Sequence, residues 1–208
     1  MSAARAAVPA LLALLWAAPG AAHHVGTYVP KDNAVSANFK EIKFALQAPK
    51  LDVARRLFER GALRREMGAQ AATLPPGLEA RTLAAFRAGD AREAEGHLVV
   101  FFAALARDLA REAVRQLGAP GITPVARAAT GPKFLEAIWR YYNLVDFAVS
   151  SRDNKSSTAV RLAFDEAEGY VKTTSASEAD KLREPLRRIA QLLSTVIDTS
   201  SALPRRDS

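Results

Sequence analysis

The 208 residues contain no cysteine. That excludes disulfides, thiol nucleophiles, c-type haem attachment and cysteine-based zinc or iron–sulfur sites. The fold must therefore stand on its core alone, which a chain of this length can do. Histidine is nearly as scarce, with 3 residues, so a Ser–His–Asp triad has few imidazoles to draw on. A Gly-rich phosphate loop, a Gly-x-Ser-x-Gly elbow and a His-Glu-x-x-His helix are all missing. A di-iron bundle needs a Glu-x-x-His pair from each of two helices, and the sequence has neither copy. With no catalytic constellation in sight, a non-enzymatic protein is expected.

Long apolar runs are also few. After the first 22 residues the strongest is Leu98–Ala106, flanked by Glu93, Glu95 and Arg107. It is far short of the roughly 20 residues that span a bilayer and reads as the buried middle of a soluble helix. No segment alternates apolar and polar residues for long enough to predict a strand.

The N-terminus has its own grammar. Arg5 supplies a positive start, Ala6–Ala18 is apolar, and Pro19 and Gly20 end the run. Gly20 and Ala22 place small residues before a cut ahead of His23. Residues 1–22 therefore read as a cleavable signal peptide, and the chain as exported, to a periplasm, a secretory route or a plastid lumen.

The rest shows helical periodicity. Val35, Phe39, Ile42 and Leu46 form one stripe behind a cap at Asp32 or Asn33, and Pro49 stops that helix. Asp52 opens a second helix, weakened at Gly61 and resumed from Ala62. Leu78–Ala88 follows a Leu-Pro-Pro-Gly turn, and Asp90 caps a long helix to Leu117. Residues 118–131, rich in Gly and Pro, read as a linker and a possible boundary between halves, with Pro132 first in the next helix. That helix reaches Ser150; after a turn at residues 151–154, another runs to Lys172. Ser177 and Asp180 make a capping box for the last helix, which Pro185 should kink or divide. Asp52, Asp90 and Asp153 each precede a helix carrying a large aromatic, at unequal spacing, and read as caps rather than a repeat. The fold class expected is all-α: an antiparallel bundle of roughly six to seven helices over residues 23–202, with a tail at 203–208.

Three groups carry candidate chemistry. A cut before His23 would leave His23 and His24 beside a free α-amine, a nitrogen set that suits copper. His97 could join them, with Glu93 four residues earlier on the same helix face. Arg56, Arg60 and Arg64 recur every four residues, with Arg55 and Arg65 beside them, and Lys181, Arg183, Arg187 and Arg188 form a second basic group. With a formal charge of +7, either group could dock an anionic surface. Export argues against nucleic acid and leaves a protein or membrane-associated complex as the expected partner. Lastly, Asp146 stands among Leu144, Val145 and Phe147 and needs a partner, for which Arg161 is placed.

The segment Tyr142–Ser150 with Arg152-Asp153, Ala159 and Tyr170 is similar to the last helical hairpin of extrinsic photosystem II subunits of the PsbQ type. Those are small lumenal four-helix bundles bound to a membrane complex. The similarity covers one hairpin and no diagnostic motif, and no family is assigned from it.

Overall fold

The computed structural model describes residues 33–172 and 178–201. The signal-peptide reading of residues 1–22, the terminal pair His23 and His24, the Ser177 cap and the tail at 203–208 lie outside them. The described chain forms nine helices: α1 (Ala34–Gln47), α2 (Leu51–Arg60), α3 (Ala62–Ala69), α4 (Leu78–Ala88), α5 (Ala91–Leu117), α6 (Pro124–Arg152), α7 (Asn154–Lys172), α8 (Glu178–Lys181) and α9 (Arg183–Ser201). The described residues contain no strand. The all-α bundle expected from periodicity is the fold observed, with two of its helices split, at Gly61 and at Leu182.

Short polar side chains set the starts. Asn33 Oδ1 accepts from the Ser36 N–H at 2.9 Å, and Asp90 Oδ1 from the Glu93 N–H at 2.8 Å. Each satisfies one amide that the first turn leaves without a backbone acceptor. Asp52 is not a cap. Helix α2 begins one residue before it, behind Lys50, which makes no side-chain cap bond. Asp52 instead stands in the first turn, where a carboxylate still favours the positive end of the helix.

Helix α5 is the centre, with α4, α6 and α9 packed against it. Its residues Gly96–Ala104 are all buried. A run buried on every side means neighbours all round, not one apolar stripe. Leu98–Ala106 is thus the buried middle of a helix, as its length implies. Phe101 and Phe102 lie at its midpoint; Phe102 meets Phe39 of α1 at 4.6 Å between ring centroids.

The linker expected over 118–131 is much shorter. Residues 118–123 make the connection and α6 starts at Pro124, running through Gly131-Pro132. Thr123 Oγ1 accepts from the Ala126 N–H at 3.1 Å, so Thr123 is the cap and Pro124, not Pro132, holds the first position of the helix. Pro132 lacks an N–H for the Ala128 carbonyl, but Ala128 is exposed and water can satisfy it. Nor does a turn separate α6 from α7. Asp153 alone joins them: its N–H donates to the Val149 carbonyl at 2.7 Å and its Oδ1 accepts from the Ser156 N–H at 3.1 Å. Before α9 the break falls at Leu182. Pro185 thereby occupies the first turn of α9, where no amide donor is needed.

Candidate functional site

His97 faces the junction of α4, α5 and the end of α6. It is 7% exposed, its Nε2 lies 4.0 Å from Glu93 Oε1, and its Nδ1 is buried without a hydrogen-bond partner. Burial lowers its pKa; the charges of Arg81 and Arg152 act in the same direction, against Glu93 and Asp90. Arg152 reaches back from the end of α6, its Nη2 donating to the Arg92 carbonyl at 3.0 Å and to Glu95 Oε2 at 3.1 Å. Glu93 and His97 are therefore brought together as the spacing implies. The surrounding guanidinium charges oppose a bound cation. Among the described residues no three His, Asp or Glu side chains converge.

Asp146 has the partner its sequence setting calls for. Arg161 Nε lies 3.1 Å from both carboxylate oxygens, Nη2 also donates to Oδ2, and Ser157 Oγ donates to Oδ1 at 3.0 Å. Burial pushes the Asp146 carboxyl up, but the hydrogen bonds from Arg161 and Ser157 more than offset it and hold it below the usual carboxylate range. The buried Tyr142 hydroxyl sits beside this pair without completing a hydrogen bond. Burial raises its pKa far above the ordinary phenol value. Trp139 packs edge-on to Phe164 at 4.9 Å alongside. The Asp146 oxygens are taken up by donors from α7, so the group clamps α6 to α7.

A groove of about 300 Å³ lies between the same helices, lined by Pro132, Leu135, Trp139, Phe164 and Val171. Its rim carboxylates are already engaged, Glu136 by Arg140 at 3.3 Å and Glu168 by Lys172 at 2.8 Å. That leaves the groove no free charge with which to select a ligand.

The two basic groups differ in how far the fold neutralises them. Arg56 and Arg60, one turn apart on α2, are exposed. Arg64 instead ties α3 to α4 through Glu79 at 2.7 Å. Arg183 lies over Gly118 at the end of α5 with its Nε buried, and Arg187 pairs with Glu184 at 2.9 Å. Arg64, Arg183 and Arg187 are thus engaged in the fold, as is Arg188, which pairs with Glu166. Arg65, named beside that repeat, and Lys50, Arg81 and Arg92, which spacing does not single out, have, like Arg56 and Arg60, no carboxylate in ion-pair range among the described residues, whereas Arg55 pairs with Asp52 and Arg87 with Glu59. The signal that finds them is segmental charge. Residues 50–92 hold nine Lys and Arg against five Asp and Glu, while residues 93–201 balance at fourteen of each. The excess positive charge of the described chain is concentrated on α2–α4 and the start of α5.

Fold and surface together define an all-α helical bundle whose α2–α4 segment is charge-unbalanced. Comparison with protein-family models, with curated proteins and with solved structures finds no match to this chain.

Proposed function

We propose that this chain is an exported, non-catalytic helical-bundle protein that docks on an anionic partner, a protein or a membrane-associated complex, through the α2–α4 end. One observation carries the reading: the charge excess of residues 50–92 sits on side chains that the fold does not neutralise. Unpaired surface cations contribute little to stability but add directly to attraction for a negative surface. Among the described residues no helix is long and apolar enough to cross a membrane, so docking rather than spanning is the mode proposed.

The test is retention on membranes from the native source across a salt series, with the wild type and an Arg56→Gln, Arg60→Gln, Arg65→Gln variant. Retention should weaken as salt rises and drop severalfold in the variant. Retention indifferent to both would overturn the reading. Export is tested separately by the intact mass of the mature protein, which should begin at His23; a chain that keeps residues 1–22 would refute it.

A further inference from the structure

Two side chains at the junction of α4, α5 and the end of α6 each bury a nitrogen that has no hydrogen-bond partner: His97 Nδ1 and Arg152 Nη1. Arg152 is the last residue of α6. Its Nη2 donates to the Arg92 carbonyl and to Glu95 Oε2, and its Nη1 stands 2.7 Å from the place a β carbon on Gly96 would take. The guanidinium is thus seated on α5 one residue before His97, and it ties the tip of the α6–α7 hairpin to that helix.

The charged groups that act on the His97 ring are Arg81 from α4, Asp90 from the cap of α5, Glu93 from α5 itself and Arg152 from α6. A neutral ring suits this place, since an unshared lone pair at Nδ1 costs less than a charged N–H there. A proton on His97 would add a donor that has no acceptor among the described residues, and a cation beside Arg81 and Arg152. Arg81 is exposed and can turn its charge into water. Arg152 has no such freedom: its side chain is 15% exposed and bound at both Arg92 and Glu95. The conflict therefore falls on Arg152, whose Nη1 gains water as a partner once it leaves α5.

We propose that His97 and Arg152 form an acid-released latch, in which proton uptake by His97 frees Arg152 and the tip of the α6–α7 hairpin from the start of α5. The latch does not depend on the docking reading, and either can fail without the other. Coupling of this kind is reciprocal. If a proton on His97 loosens Arg152, removal of Arg152 must ease proton uptake by His97.

The test is an NMR titration of the His97 imidazole in the full mature chain, wild type and Arg152→Gln, with His97→Gln identifying its signal among the 3 histidines. Amide exchange, corrected for its intrinsic dependence on pH, is read in all three proteins at about pH 7.5 and about pH 5.5, on either side of the ordinary imidazole value. The His97 midpoint should move upward in Arg152→Gln. Wild-type protection around Gly96 and over residues 150–153 should fall severalfold more in acid than protection over α9. Arg152→Gln should show the low protection at those places already at the higher pH, and His97→Gln should keep it high at the lower. A midpoint unmoved by Arg152→Gln would overturn the latch. So would an equal acid loss in His97→Gln, which would assign the release to the carboxylates Glu93 and Glu95, or a wild-type loss no greater there than over α9.

Discussion

Asn38 of α1 bridges the break between α2 and α3, and Gly61 is the residue that lets it in. Its Nδ2 donates to the Leu57 carbonyl at 3.2 Å, and its Oδ1 accepts from the Leu63 N–H at 3.1 Å. A β carbon on Gly61 would stand 1.9 Å from that same Oδ1. The interruption at Gly61 is thus stitched to α1 by one side-chain amide.

Gly61→Ala should therefore evict Asn38 from both bonds and cost about 2–4 kcal/mol, measured by urea unfolding. Asn38→Ala should cost a comparable amount, since it leaves the buried Leu63 amide without an acceptor. The double variant should lose less than the two singles combined, because the Asn38 bonds can be lost only once, while the approach of the new β carbon to the Leu57 carbonyl, at 2.3 Å, remains in both backgrounds. Full additivity would show that the two residues act independently.

Gly131 provides a second close approach. Leu182, in the break before α9, comes within 2.6 Å of the position a β carbon would take there. Gly131→Ala should lower stability by about 1–2 kcal/mol through overpacking. Leu182→Ala should cost less when combined with Gly131→Ala than when made alone in the wild type. Equal losses in the two backgrounds would place the strain elsewhere.

His97 gives the fold a defined response to acid. Its folded pKa lies below the ordinary imidazole value, so as pH falls the unfolded chain takes up a proton first. The stability contributed by neutral His97 is complete above the ordinary value. It is lost as pH drops through that value towards the folded one. Melting temperature should consequently fall between about pH 7 and about pH 5. His97→Gln, which cannot titrate, should flatten that slope. A slope unchanged by the substitution would rule His97 out as its source.

Asp146 responds lower on the scale. Its folded pKa is depressed, so its contribution is present above the ordinary carboxylate range and disappears as pH falls through the folded value. Asp146→Asn should destabilise the protein at neutral pH. Below the folded value, where the wild-type carboxyl is itself protonated, the difference between the two should shrink. A gap constant with pH would mean that packing, not charge, holds α6 to α7 there.

The elements that could be read in advance are those fixed by neighbours in sequence. The Asn33 and Asp90 caps and the stripe on α1 are local, as is the i,i+4 approach of Glu93 to His97. The course of α6 could not be read this way, because Gly131-Pro132 breaks helices by propensity. It is retained here with Gly131 packed under Leu182 and the freed Ala128 carbonyl in water. The basic surface was legible as composition but not as residues. Arg64 repeats the spacing of Arg56 and Arg60, yet its charge is cancelled by Glu79 on another helix. Arg81 and Arg92 belong to no repeat and stand out only once the distant carboxylates are placed. Phe44 already stands off the α1 stripe in the sequence, and its 72% exposure is what the structure adds.

The central position of α5 has a consequence for how the chain can be divided. The two helices that cover most of its length, α6 and α9, both come after the connection at 118–123, while α5 itself comes before it. A nick in that connection would yield two fragments, neither of them whole: the first with a bare oily rod, the second with the sleeve that should wrap it. Mixed together, the pieces should find each other and restore the native spectrum.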